Sequence, residues 1–147
     1  MKNVQLKIKL LNKNATIPTH GSEKAAGYDL YACIDNDVII EPHATAMIPT
    51  GLAMALPEGY YVAIVARSGL ATKQGLRLAN CYAVCDEDYR GEYFIPLHND
   101  SNEARTIHNG DRIAQMLLQK YETCEFEQVN ELDETERGEG GFGSTGT

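Results

Sequence analysis

The C-terminal segment of the chain carries residue types that bind phosphate groups. Arg137, four glycines, Phe142, Ser144 and Thr145 all fall within nine residues. Glycines allow backbone N–H groups to approach an anion closely, hydroxyls add hydrogen-bond donors, and arginine adds a forked cation. No lysine precedes Ser144, so this is not a Walker A loop. A solvated tail without function is the alternative, but Phe142 suits stacking on a flat group such as a nucleobase. We therefore interpret the segment as a phosphate-binding loop.

A second possible anion site follows the apolar run at 60–65. Arg67 and Ser68 stand at the end of this run, and Gly69 opens a possible helix. Backbone N–H groups at the start of a helix attract anions. The alternative is that Ser68 only caps the helix and that Arg67 is an ordinary surface residue. These residues by themselves leave both interpretations open.

Three consecutive carboxylates, Asp86, Glu87 and Asp88, precede Tyr89. A solvated turn is the more common explanation of such a run. The catalytic interpretation requires one carboxylate directed at a water molecule and an aromatic ring beside the substrate. The segment is therefore a candidate for general-base chemistry.

Two polar residues interrupt apolar segments. Asp29 lies between Tyr28 and Leu30, and Gln115 lies within the otherwise apolar run at 113–118. A buried amide requires hydrogen-bond partners, and a phosphate oxygen would supply one for Gln115.

Period-two alternation indicates which elements position these side chains. Every second residue of 4–10 is apolar, which predicts a half-buried strand. Turn signals separate further short β-prone runs, and many short strands at this spacing indicate an all-β sandwich or barrel. A short helix is possible over 67–74. The further β-prone runs are 37–40, 45–48, 51–56, 60–65, 92–97, 112–118 and 123–129.

The chain divides into a β-domain at 1–129 and a C-terminal arm at 130–147. Eight acids and one arginine fall in 122–139, so most of the formal net charge of −8 lies in this late stretch. An acidic run followed by a glycine-rich tail cannot bury much apolar surface, and we expect it to be mobile without a ligand.

Composition narrows the class and compartment of the protein. The 147 residues are 43% hydrophobic and 23% charged, which is typical of one soluble globular domain. No run of eighteen apolar residues is present, so no membrane association is expected. The negative net charge argues against nucleic-acid binding. The start lacks a long apolar stretch, so we expect a cytoplasmic protein, or also a nuclear one in a eukaryote. The four cysteines match no zinc-binding spacing.

Five segments together resemble the ordered motifs of the trimeric dUTPase family. They read AGYDL, ARSGLA, CDEDYRGE, GDRIAQML and RGEGGFGSTG, and they run from residue 26 to residue 146. The resemblance implies a jelly-roll-like β-sandwich or barrel with one short helix and a flexible glycine-rich arm. It also implies a homotrimer whose active sites are shared between subunits.

The activity implied by the resemblance is the hydrolysis of dUTP to dUMP and pyrophosphate with Mg²⁺. An aspartate would activate the water that attacks the α-phosphorus. The reaction would limit uracil incorporation into DNA and supply dUMP for thymidylate synthesis.

The resemblance also assigns roles to residues of this chain. Asp86 matches the general base, Tyr89 matches the ring packed against the deoxyribose, and Asp29 matches the carboxylate that holds a metal-bound water. The substrate-binding positions fall into three sets: Arg67, Ser68, Gly69 and Gln115 for the phosphates; Asn80 and Ala83, with the backbone near 83–85, for uracil; and Arg137, Phe142, Gly143, Ser144 and Thr145 in the closing tail.

The base-reading hairpin departs from the family pattern at two positions. Ala83 stands where the family commonly has glycine, and Cys85 where it commonly has isoleucine. A methyl group at 83 would restrict the backbone that meets uracil.

Two other functions were weighed. A dCTP deaminase resembles this family but places a catalytic glutamate where this chain has Pro96, which cannot transfer a proton. A nucleotide-sensing trimer that regulates a partner protein is the non-enzymatic alternative, although every motif residue for hydrolysis is present.

Overall fold

The computed structural model describes residues 3–146, which form twelve β-strands and one short helix. The helix is a single π-helical turn, Leu70–Gln74. The strands are β1 (Lys7–Leu10), β2 (Thr19–His20), β3 (Tyr28–Tyr31), β4 (Val38–Ile40), β5 (Thr45–Pro49), β6 (Leu52–Ala55), β7 (Tyr60–Val65), β8 (Leu76–Leu78), β9 (Ala83–Cys85), β10 (Phe94–Asn99), β11 (Arg105–Ile107) and β12 (Arg112–Lys120).

The strands form four antiparallel sheets. The largest has the order β2-β3-β12-β7-β9, and a three-stranded sheet has the order β5-β10-β8. Two-stranded pairs, β1-β6 and β11-β4, complete the set. Apolar side chains from all four sheets form one core, as in a sandwich. This confirms the predicted all-β, jelly-roll-like fold.

Strand β12 is central to the large sheet and is irregular at its start. Its pairing with β3 changes register between Arg112 and Ala114, which is the signature of a β-bulge. In a regular strand Arg112 and Gln115 would point to opposite faces, because they are an odd number of residues apart. With the bulge, both side chains line the same cavity beside β3.

Most of the predicted strands are confirmed, with small shifts of their ends. Five short strands were missed: β2, β3, β8, β9 and β11. The run at 4–10 is a strand only from Lys7 onward.

The predicted strand at 123–129 is wrong for the single chain. Regular structure ends at Lys120, and every residue from 121 to 130 is exposed. A strand forms only where a neighbouring backbone accepts its hydrogen bonds, and the described part of this chain offers none to this run.

The remaining sequence expectations concern membranes and cysteines. Across residues 3–146, no helix has the length and apolar content needed to cross a membrane. All four cysteines are free thiols.

Candidate active site

A cavity of about 190 Å³ lies where β3, the end of β7 and β12 meet. On the central strand β12, Gln115 is directly opposite Asp29 of β3 on one side and Val65 of β7 on the other. The chain leaves β7 at Val65, which places the segment that follows at the rim. Five residues predicted from three separate motifs therefore line one cavity: Asp29, Arg67, Ser68, Gly69 and Gln115.

Asp29 contacts both arginines that line this cavity, Arg67 and Arg112. Its side chain is 11% exposed and accepts a hydrogen bond from Arg67 Nε at 2.9 Å. Its other carboxylate oxygen lies 3.5 Å from Arg112 Nη1. A buried carboxylate needs such partners. The direct neighbours of Asp29 are thus two arginines, and it orients both guanidinium groups toward the cavity.

Arg112 is a site residue that the sequence analysis did not select. Its guanidinium and that of Arg67 stand on either side of Asp29, and Arg67 Nη1 also donates to the Arg112 carbonyl oxygen at 3.4 Å. In a regular strand Arg112 would point to the opposite face from Gln115, so the sequence spacing gives no sign that both belong to one site. Only the bulge in β12 brings it to the site.

Gln115 is held in place before any ligand binds. Its Nε2 donates to the Ala66 carbonyl oxygen at 3.0 Å. Its Oε1 faces Gly27, where an added Cβ would lie only 2.5 Å from that oxygen. The partner that a buried amide requires is therefore supplied by the backbone, and Gly27 is needed because any larger residue would displace the amide.

The segment at 67–69 leads into the short helix without a side-chain cap. Gly69 occupies the N-cap position with helical dihedral angles, and no side-chain hydrogen bond caps the helix. The Ser68 carbonyl accepts a bond from Thr72 Oγ1 at 2.7 Å. The proposed capping role of Ser68 therefore has no support here.

The hairpin predicted to read the base lies along the other edge of β7, and it leads into the carboxylate loop, which begins with Asp86, Glu87 and Asp88. Strand β9 pairs with β7 so that Ala83 is opposite Ile64 and Cys85 is opposite Val62. Asp86 consequently follows at the start of β7, whereas Arg67 follows its end. Strand β7, Tyr60–Val65, is about 17 Å long from its first to its last residue, because five steps of about 3.4 Å separate them. A single chain therefore holds Asp86 and the arginine-lined cavity apart.

The two departures from the family pattern are accommodated locally. The Ala83 backbone does not adopt the left-handed region, so its methyl group causes no strain of that kind. Burial, and then the charge of Asp86, raise the pKa of the Cys85 thiol to about 11. Cys85 is therefore neutral and half-buried, and it replaces isoleucine as a small apolar residue.

Tyr89 presents an anchored ring beside the carboxylate loop. Its hydroxyl donates to the Glu92 carbonyl oxygen at 2.8 Å, and its ring centroid is 5.9 Å from that of Tyr93. A Cβ at Gly91 would lie 2.6 Å from the ring atom Cζ, so glycine makes room for the ring. The side chain is still 44% exposed, which leaves a surface for a ligand.

The predicted tail residues lie outside the arginine-lined cavity and form hydrogen bonds within the tail. Phe142 is fully exposed, with a positive φ of 52°. Arg137 Nε bonds the Gly140 carbonyl oxygen at 2.7 Å within the tail itself. None of the five predicted tail residues is among the residues that line the cavity around Asp29.

An antiparallel β-fold with a cavity lined by two arginines is suited to a ligand that carries phosphate groups. The family model for dUTPase matches residues 13–146. The chain therefore belongs to the dUTPase family of enzymes, the dUTP diphosphatases.

Individual relatives agree with this assignment. The chain is 49% identical to the deoxyuridine 5'-triphosphate nucleotidohydrolase of Finegoldia magna over 96% of this chain and 99% of that protein. A Staphylococcus bacteriophage 80alpha dUTPase variant, solved with dUpNHpp, has a TM-score of 0.84 and 31% identity over 99% of this chain and all of that one. A variant of the dUTPase from phage phi11 of S. aureus, described with a coordinated structural Mg(II) ion, has a TM-score of 0.78 and 27% identity over 89% of this chain and all of that one.

The structure also bears on the deaminase alternative. Pro96 lies within β10, opposite Met47 of β5. It has no side-chain group that transfers a proton, so this position cannot serve a deaminase.

Proposed function

We propose that the chain hydrolyses dUTP to dUMP and pyrophosphate by attack of a water molecule on the α-phosphorus. The observation that carries the proposal is the cavity in which residues from three motifs converge around two arginines. The carboxylate loop supplies the proposed general base, Asp86, and the anchored ring of Tyr89 that packs against the sugar.

The arginine-lined cavity is suited to the phosphate chain. Arg67 and Arg112 are already oriented by Asp29, so less side-chain freedom is lost when an anion binds. A guanidinium group matches phosphate oxygens with two parallel donors. Ser68, Gly69 and Gln115 add neutral polar groups around the same space. These fixed donors stabilise charge that develops on the phosphates.

Asp86 is the proposed general base. It accepts a proton from the water as the water oxygen bonds to the α-phosphorus, and the bond to pyrophosphate breaks. A carboxylate is a weak base, so its main contribution is to hold one water in line while the proton is shared. The Tyr89 ring packs against deoxyribose in the space that a 2′-hydroxyl would need, and the backbone near 83–85 with Asn80 and Ala83 reads uracil.

The resemblance implies a homotrimer with shared active sites, and the separation of Asp86 from the arginine-lined cavity supports it. Asp86 and Arg67 flank opposite ends of β7, about 17 Å apart, so a complete site requires a second copy of the chain. The run at 123–129 supports this arrangement, because it has strand-like residues without a partner. Its Phe126 is 94% exposed and offers apolar surface that a second copy of the chain would bury.

The residues present are compatible with Mg²⁺ bound together with the nucleotide. Among residues 3–146 no group of three or more potential ligand side chains could hold a metal by itself. Magnesium at phosphate sites usually has one or two carboxylates, several waters and the phosphates themselves. Asp29 is the proposed carboxylate, acting through a water, since each of its oxygens can accept a further hydrogen bond. When bound, the ion neutralises phosphate charge.

The cellular part of the proposal rests on the relatives and on the thiols. The Finegoldia magna relative is bacterial, and the four free cysteines suit a reducing compartment, so we assign the reaction to the cytoplasm. There it would limit uracil incorporation into DNA and supply dUMP for thymidylate synthesis.

Product analysis across dUTP, dCTP, dTTP and UTP tests this function. With Mg²⁺ present, dUTP should release pyrophosphate with the highest kcat/KM of the four. Ammonia from dCTP would instead identify a deaminase. Nucleotide binding without any turnover would identify a sensing module.

Replacing Tyr89 with alanine should relax sugar discrimination. Removing the ring opens the space for a 2′-hydroxyl, and the dUTP to UTP ratio of kcat/KM should fall by about tenfold or more, as expected for loss of one packed group. Tyr89→Phe is the matched control. It keeps the ring and loses only the hydroxyl, which bonds Glu92 rather than pointing to a ligand, so the ratio should be preserved. An unchanged ratio in the alanine variant would show that another residue reads the sugar.

A further inference from the structure

Glu87, the residue after the proposed base, connects three separate segments. Its Oε2 accepts a hydrogen bond from the Gly59 backbone N–H at 2.7 Å and another from the Tyr121 hydroxyl at 2.8 Å. Gly59 lies in the turn between β6 and β7, and Tyr121 is the first residue after β12. The Tyr121 N–H also donates to the Gly59 carbonyl oxygen at 3.2 Å. We call this arrangement the Glu87 latch.

The latch ties the carboxylate loop to the β6–β7 turn and to the end of β12 through side-chain hydrogen bonds. The loop also continues directly from β9, which pairs with β7. Other bonds of the loop are internal: Tyr89 N–H donates to the Asp86 carbonyl oxygen at 3.2 Å, and Arg90 Nη1 donates to the Glu87 carbonyl oxygen at 2.7 Å. In the described part of the chain, no hydrogen bond holds the Asp86 carboxylate itself. The position of the Asp86 carboxylate therefore depends on the hydrogen bonds that neighbouring residues of the loop form.

We propose that Glu87 is a positioning residue that fixes the Asp86 loop and, through Tyr121, the point at which the chain leaves β12 toward the C-terminal arm. The inference rests on the proposed function of Asp86 as the base. One carboxylate oxygen of Glu87 joins the base loop to the turn at Gly59 and to the first residue after β12.

The charge state of Glu87 fits this role. The hydrogen bond from Tyr121, and then that from the Gly59 N–H, lower the pKa of the Glu87 carboxyl group. It is therefore ionised at neutral pH and accepts both bonds.

Both hydrogen bonds of the latch end on Glu87 Oε2, so a series of variants can remove them together or one at a time. Glu87→Ala removes both and should lower kcat, since a misplacement of about 1 Å can cost about 10²-fold. Glu87→Gln retains an amide oxygen that accepts both bonds and should restore most of kcat. Tyr121→Phe removes one bond and should give an intermediate kcat. Glu58→Ala is the control, because it removes a neighbouring exposed carboxylate that forms no described hydrogen bond.

The readouts are kcat, the Kd of a non-hydrolysable dUTP analogue, and the thermal unfolding midpoint. A fall in kcat of Glu87→Ala at unchanged Kd and Tm, with rescue by glutamine, supports the proposal. In the double variant Glu87→Ala/Tyr121→Phe, kcat should equal that of Glu87→Ala alone, because the bond is already lost.

Several outcomes would overturn the latch. These are an unchanged kcat in Glu87→Ala, an equal loss of kcat, affinity and Tm, or no rescue by glutamine. If Glu87→Ala does not fold, Glu87→Gln and Tyr121→Phe decide the question with the same measurements. Failure of the proposed function is distinct, because the wild-type protein itself would then not hydrolyse dUTP.

Discussion

The Asp86→Asn variant should lose about 10²–10⁴-fold in kcat, the range that a general base contributes. The amide preserves the size of the side chain but cannot accept the proton from water. The Asp86 side chain is exposed and outside the core, so its replacement should leave the fold intact. Affinity for a non-hydrolysable dUTP analogue should be unchanged, because the proposed phosphate contacts come from the cavity around Arg67.

Steady-state kinetics with dUTP, equilibrium binding and thermal unfolding measure these three quantities. Asp35→Asn is a suitable control, because it makes the same chemical change at an exposed position outside the cavities. Turnover within about tenfold of wild type would exclude Asp86 as the general base, given the usual contribution of such a group.

Strands with a clear period-two pattern were predictable, and their exceptions have physical causes. Strand β3 was missed because its two central residues, Asp29 and Leu30, are both buried, which removes the alternation. The run at 123–129 was predicted because its own residues favour a strand. Its pairing depends on a partner backbone, which the sequence of one chain does not specify.

The cavity residues were predictable from local motifs, whereas their connections were not. Asp29 and Gln115 stood out as polar residues in an apolar setting. Arg67, Ser68 and Gly69 stood out as a possible anion site at the end of a strand. The contacts of Glu87 span 28 and 34 residues, so no local pattern reveals them. Arg112 required knowledge of a bulge, which depends on how β12 pairs with β3.

Deleting residues 137–147 should abolish efficient turnover while leaving a folded trimer. Residues 121–139 are all exposed and form no regular structure, so removing the tail beyond Arg137 costs little buried apolar surface. The tail nevertheless carries the donors proposed for the terminal phosphates and Phe142, proposed to stack on uracil. Closure of such a segment excludes water and aligns the triphosphate.

The unmodified protein and the truncated one should both scatter light as trimers, about 48 kDa for the full chain, since one chain has a mass of 16.2 kDa. A monomer mass for the full chain would contradict shared sites. Loss of the trimer on truncation would contradict a purely catalytic role for the tail.

Mixing two inactive variants determines whether each tail closes the site that holds its own Asp86 or a site on a neighbouring subunit. From Lys120 to Arg137 the chain can extend about 56 Å at roughly 3.3 Å per residue, enough to reach a neighbouring subunit. Acidic residues between them repel one another and favour an extended connector. Asp86→Asn chains with intact tails are mixed with truncated chains that retain Asp86, and subunit exchange is verified with mass-tagged chains. If tails act between subunits, some mixed sites combine an intact Asp86 with an intact tail, and activity returns. With exchange verified, the absence of recovery would mean that each tail closes the site that holds its own Asp86.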